Sequence, residues 1–329
     1  MSLTTPLTRL LGIQYPIIQA GMSWASSGAA LPAAVSNAGG LGVIAAGPMR
    51  IDDLRQTLRE VQALTDRPYA VNIPLYRKGA AEVLDLLEQE RVPVIIASQG
   101  SPRPHLQRFQ AYGAVWLHVV AFIEHAHKAA AAGVNGLVVV GCEAGGHPPA
   151  SEVSTLVNVR KVLQQISCPV VAGGGVADGY GIAALLALGA DAVQLGTRFI
   201  LSEEARLHAN YKRMVLEAGI TDTVLVGRGA LPVRSVRNRF TERVLAAERG
   251  GMPHNDPAAF ELLLASSTLK QASFDGDTVN GKVEAGQCAG LIDAIQPAAQ
   301  IMAELIADTE RALKRLCDMQ SHEENNNEQ

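Results

Sequence analysis

The segments PVVAGGGVADG (Pro169–Gly179) and GADAVQLGTRF (Gly189–Phe199) are separated by a run rich in Ala and Leu. Each opens on a short apolar block without polar alternation, which is how a strand buried on both faces of a parallel sheet reads. Each block closes on small residues: Gly173-Gly174-Gly175 in the first and Gly196-Thr197 in the second. Gly179–Leu188 between them has the composition of a helix, and Gly189 supplies its left-handed stop. The pair is therefore a βα unit followed by the strand of the next. It is not a dinucleotide-binding turn, because in G-x-G-x-x-G the third glycine falls on Asp178.

The same unit recurs upstream. Strands are predicted at Pro16–Gln19, Gly42–Ala45, Tyr69–Ile73, Pro93–Ala97, Val115–Val119, Gly136–Val140, Pro169–Ala172 and Ala192–Leu195. Helices are predicted at Ala29–Asn37, Ile51–Ala63, Ala80–Glu90, His105–Tyr112, Phe122–Ala132, Ser154–Gln165 and Gly179–Leu188. Eight such units in an α/β chain fit a (β/α)8 TIM barrel, and the first strand leads into Ala20-Gly21-Met22, which is no glycine fingerprint. The barrel is expected over residues 1–201 and a smaller, mainly helical second domain over 202–290. That second domain contains a loop at Arg249–Pro257, and strand and turn signals run from Phe274 to Ile292. A helix at about Pro297–Cys317, within 291–320, is expected to return to the barrel, with 321–329 a disordered polar tail.

Composition narrows the function classes. With 48% hydrophobic residues and a net charge of −4, the 329-residue chain is too apolar and too weakly charged to be disordered. Its 28 Lys+Arg against 32 Asp+Glu include no basic run, so nucleic acid is not an expected partner. No charge occurs between Arg9 and Arg50, but Pro16, Gln19, Pro32, Asn37 and Gly39-Gly40 interrupt the stretch, which reads as buried interior and not as a membrane span. MSLTTPLTRLLGIQYP lacks the features of a signal peptide, and Cys142, Cys168, Cys288 and Cys317 have no metal-type spacing. The expectation is a cytoplasmic enzyme that binds no metal and takes a small-molecule substrate, an organisation compatible with a homodimer.

In a barrel the chemistry sits at the C-terminal ends of the strands. Those positions hold Gly21 and Met22, Asn72, Ser98 and Gln99, His118, the run Gly141-Cys142-Glu143-Ala144-Gly145-Gly146-His147, then Gly173-Gly174-Gly175 and Gln194 to Thr197. Bare amides at Gly173–Gly175 and at Gly196-Thr197, next to helix starts, suit a phosphate group; the bland alternative is turn geometry alone. His147 stands on a loop between two glycines and two prolines, where it can act as acid, base or hydrogen-bond donor. Asn72 and Gln194 can read the polar edge of a ring by paired hydrogen bonds. His118 is equally readable as a core histidine, and His125 and His127 do not share a helix face. Glu143 has no carboxylate partner of the kind glycosidases use.

Taken together, PIIQAGM (Pro16–Met22), NAGGLG (Asn37–Gly42), VNI (Val71–Ile73), EAGGH (Glu143–His147), GGGVADG (Gly173–Gly179) and GADAVQLGTRF resemble the nitronate monooxygenase (2-nitropropane dioxygenase) family. The resemblance implies an FMN-containing TIM barrel with a smaller helical domain over the strand ends. Under it, Gly173, Gly174, Gly175, Gly196 and Thr197 hold the FMN phosphate, and Gly21, Met22, Asn72 and Gln194 surround the isoalloxazine ring. Ser98, Glu143, Gly145 and Gly146 complete the expected flavin set, and His147 is the catalytic residue. The first expectation is oxidation of alkyl nitronates with O2. The alternative is an NAD(P)H-dependent flavin-type enoyl-acyl-carrier-protein reductase, which EAGGH and VEAGQCAGLI (Val283–Ile292) resemble more closely. A flavin-binding module without catalysis is a third reading. Val140 and Val119 depart from the family, standing where relatives often carry an acidic residue and where some monooxygenases carry Lys.

Overall fold

The computed structural model describes residues 3–324. Its main sheet is built from β1 (Ile17–Gln19), β2 (Gly42–Ala45), β3 (Tyr69–Pro74), β4 (Val94–Ser98), β5 (Val115–Val120), β6 (Gly136–Val140), β7 (Val170–Gly173) and β8 (Ala192–Leu195). All are parallel, in the order β1-β8-β7-β6-β5-β4-β3-β2. The remaining seam is closed by Ile18 bridging Leu41 and by the buried side chain of Gln19. Its Oε1 accepts from Val43 N at 2.9 Å and its Nε2 donates to Val43 O at 3.2 Å. The molecule is thus a (β/α)8 barrel, as the βα period predicts.

Strand alternation sorts the core into two layers. Ile18, Val43, Ala70, Ile96, Leu117, Val138, Val171 and Ala192 fill the interior, plugged from below by Leu7 and Leu11 of the first helix, Pro6–Leu11. Ile17, Ile44, Val71, Ile95, Trp116, Val139 and Val193 face outward and pack under the surrounding helices. The left-handed stop expected at Gly189 is present, and Gly39, Gly113 and Gly133 likewise have positive φ just after helices. The C-terminal helix, Ala298–Glu324, lies across Gly179–Leu188 so closely that a Cβ on Gly179 would meet the backbone of Leu305 and Thr309. That helix extends through Ser321–Glu324, the first part of the segment expected to be a disordered tail; residues 325–329 lie outside the described residues.

The segment after the barrel is mainly helical, as expected, with one small hairpin added. It holds helices Ala209–Leu216, Arg239–Arg249 and Pro257–Ala265, and also an antiparallel hairpin of β9 (Thr223–Val226) and β10 (Val233–Val236). The strand signals of Phe274–Ile292 give only a bridge at Glu284 between two short helical turns, Gln271–Asp275 and Gln287–Leu291. Glycines at 276, 281, 286 and 290 deny that stretch the side chains a ladder needs. Among the described residues no helix is long and apolar enough to cross a membrane.

Candidate active site

One layer above the filled interior, the inward positions at the C-terminal end are Asn72, Ser98, Val119, Val140, Gly173 and Gln194. Asn72, Ser98 and Gln194 give this floor a polar side, whereas Val119 and Val140 pack on the interior cluster and give it an apolar side. Gly173 leaves the gap between them bare. Asn72 is fixed by donating from Nδ2 to the Ile96 carbonyl at 3.1 Å, and its Cβ leaves no room for a side chain at Gly21.

The rim beyond β7 and β8 gathers the glycines. Gly174 and Gly175 have φ of +104° and +76°, a region that disfavours side chains, and lead to Asp178, which caps the next helix by accepting from Gly181 N at 2.8 Å. Among the described residues the amides of Gly174, Gly175 and Thr197 donate to no protein acceptor. Met22 Sδ lies 3.6 Å from where a Cβ on Gly196 would stand, closing that side. The Thr197 hydroxyl oxygen accepts from Gly286 N at 2.9 Å, tying the rim to the second domain.

Glu143, expected in the flavin set, lies against the rim, its Cδ 3.7 Å from where a Cβ on Gly175 would stand. Its carboxylate accepts from Thr155 N at 2.9 Å and from Thr155 Oγ1 at 2.9 Å, which ties the loop after β6 to the following helix. Gly145 and Gly146 carry the loop onward against the second domain. Gly146 N donates to Arg234 O at 3.1 Å, Arg234 N donates back at 2.7 Å, and Arg234 Nε donates to the Cys142 carbonyl at 2.9 Å. His147 is exposed, and its Nδ1 lies 2.9 Å from the Pro232 carbonyl. A carbonyl only accepts, so Nδ1 carries the hydrogen of the neutral ring and Nε2 is left with its lone pair.

The other histidines are elsewhere. His118 points out of the barrel between inward Leu117 and Val119; burial pulls its pKa down to about 4, leaving it a neutral core residue. His125 stacks on Phe122, and His127 bonds Gln165. The residues that motif reading missed come from the second domain: Pro232, Arg234, Glu284 and Gly286. The one signal for them was the recurrence of Glu-Ala-Gly at 284–286. Burial raises the Glu284 carboxyl above its usual range, against the opposing pull of His147 and Lys282.

The family model described as nitronate monooxygenase matches residues 4–86 and 76–308. The chain belongs to the nitronate monooxygenase family. A nitronate monooxygenase of Pseudomonas aeruginosa is 34% identical over 93% of this chain and 99% of its own length. A (3aS,4S,5R,7aS)-5-hydroxy-7a-methyl-1-oxo-octahydro-1H-indene-4-carboxyl-CoA dehydrogenase of Mycobacterium tuberculosis is 32% identical over 94% of this chain and 96% of its own. Among solved structures, FabK from Thermotoga maritima superposes with a TM-score of 0.89 at 38% identity, covering 96% of this chain and 99% of that one. The family member described here is an oxidoreductase.

Proposed function

We propose that this chain binds FMN at the β7–β8 rim and transfers two electrons between NAD(P)H and the Cα–Cβ bond of an acyl thioester. The divided floor is the observation that carries the reading. Asn72, Ser98 and Gln194 offer the donors and acceptors that a flavin ring edge takes, and Val119 and Val140 offer apolar surface to an acyl chain. The open amides of Gly174, Gly175 and Thr197, on a rim with no Cβ at 174 and 175, fit a phosphate. The residues present therefore fit FMN, with Gly21, Met22, Gly145, Gly146, Gly173 and Gly196 lining its approach.

FMN, when bound, supplies the two-electron chemistry; the protein supplies placement and a proton. His147 is the acid–base residue of the reading. With Nδ1 engaged by Pro232, its Nε2 delivers a proton to the thioester Cα in reduction or takes one from it in the reverse direction. The resemblance to FabK and to the CoA dehydrogenase supports a thioester, since both align over nearly the whole chain.

The second reading, oxidation of an alkyl nitronate with O2, is favoured by the family model and by the Pseudomonas relative. Anaerobic mixing separates the two. Bleaching of the flavin by NAD(P)H, followed by recovery on adding crotonyl-CoA, supports the thioester reading. Bleaching by a propyl nitronate but not by NAD(P)H would replace it with the nitronate reading.

A further inference from the structure

The loop that carries His147 and the segment that carries Glu284 hang on the same edge of one strand. β10 pairs with β9 along one side. On the other side Arg234 exchanges hydrogen bonds with Gly146, and Val236 N donates to Val283 O at 2.8 Å. Ser235 thereby stands opposite Glu284 as a bridge partner, one position from the residue that holds Gly146. Tyr211, itself buried, donates its hydroxyl to the Glu284 carbonyl at 2.9 Å and fixes the backbone there.

This geometry brings the Glu284 side chain over the loop. Its Oε2 lies 3.2 Å from where a Cβ on Gly146 would stand, against the residue that precedes His147. Gly146 has φ of +72° and carries no side chain, so nothing separates the carboxylate from the loop backbone. Among the described residues neither Glu284 nor Glu143 makes an ion pair within 4 Å, but the Glu143 oxygens accept hydrogen bonds from Thr155. The charged and titratable groups around Glu284 are His147 on the barrel loop, Lys282 on its own segment, Tyr211 on the helix beneath and Arg234 on β10. Lys282 is drawn aside, its Nζ 5.5 Å over the Phe240 ring, and Arg234 is committed to the Cys142 carbonyl. Tyr211 is held protonated by burial. His147 is the remaining cation-forming neighbour.

We propose that Glu284 is a positioning residue for His147, its carboxylate stabilising the imidazolium that exists whenever Nε2 holds the proton it exchanges with substrate. The proposal rests on the reading of His147 as the acid–base group. It balances without another reactant: one proton moves between Nε2 and the substrate carbon, and Glu284 neutralises the positive ring while the proton is there. The distinction from Glu143 is one of position. The Glu143 carboxylate is held beside Thr155 at the start of the next helix, whereas Glu284 lies over Gly146, the residue before His147.

The test uses Glu284→Gln and Glu284→Asp in the full chain with flavin bound, plus a spectroscopic arm on flavin-free protein. Glu284→Gln should lower kcat about tenfold, with KM within about twofold of wild type. It should also abolish the acid limb of the kcat profile, which in the wild type reflects protonation of Glu284 above the usual carboxylate range. Glu284→Asp should restore that limb. In the flavin-free chain, the ¹⁵N resonances of the His147 ring should show an inflection from the carboxyl that is absent in Glu284→Gln. A Glu284→Gln enzyme that keeps both rate and acid limb, with an unchanged His147 ring titration, overturns the proposal. If the ring senses Glu284 but His147→Gln turns over normally, the reading of His147 fails while the electrostatic coupling of the two residues stands.

Discussion

Two Glu-Ala-Gly stretches meet over the barrel mouth, Glu143–Gly145 on the loop after β6 and Glu284–Gly286 in the second domain. Their backbones are in close contact. A Cβ on Gly145 would lie 2.5 Å from the Ala285 carbonyl carbon, and one on Gly286 would lie 2.8 Å from the Glu143 carbonyl oxygen. Gln287 N donates to that same oxygen at 3.0 Å. The two glutamates nevertheless have different chemistry. Glu143 is held by Thr155 and acts as a brace, while among the described residues no donor is found for the Glu284 carboxylate, which burial pushes toward protonation. Identical tripeptides therefore differ through their surroundings: the helix-start amide and hydroxyl of Thr155 hold the first glutamate, while the second lies over the loop that carries His147.

The largest effect should come from the residue between these stretches. His147→Ala should retain flavin and lose roughly two to four powers of ten in turnover, read as kcat on the accepted substrate; near-normal turnover would leave both glutamates without a catalytic role. Next is the pH dependence of the barrel, against which the behaviour of Glu284 must be read. His118 is neutral in the fold, with its pKa lowered from 6.5 to about 4, so it binds a proton more readily when unfolded. Its contribution is present above pH 6.5 and is lost as the pH falls toward about 4, up to about 3 kcal/mol in all. Urea unfolding at a series of pH values should show this loss, and His118→Gln should flatten it.

Gly145→Ala tests the contact between the stretches and should destabilise by about 2 kcal/mol, because the opposing atoms are backbone and cannot turn aside. Its denaturation midpoint should fall and its turnover with it. Glu143→Gln should have the smallest effect, about 1 kcal/mol in the same assay, since an amide oxygen still accepts from Thr155 but without charge. A larger loss of turnover than of stability in Glu143→Gln would mean that the first glutamate is more than a brace.

The barrel was legible because its signals are local. Blocks such as Val94–Ala97 are apolar throughout, and the stops at Gly113 and Gly133 lie within one turn of the helices they end. His147 and the rim glycines were legible for the same reason, following directly from their strands. The second domain was not. Val233-Arg234-Ser235-Val236 has a buried arginine at a strand position, and its guanidinium donates to the Cys142 carbonyl on a distant loop and to Thr223 Oγ1 on the paired strand. Glu284 and Pro232 matter through contacts that cross from one domain to the other, which no spacing along the chain encodes. The tie from Glu143 to Thr155 was not legible, because Thr155 looks like an ordinary first helical residue.

The central claim is that the rim formed by Gly173–Gly175, Gly196 and Thr197 holds FMN above the divided floor. The most direct measurement is the visible spectrum of the purified chain, followed by chromatography of what denaturation releases. The account predicts a yellow protein that gives up equimolar FMN, and a Gly175→Val variant that is colourless although folded. A colourless wild-type protein that FMN does not reconstitute would contradict it.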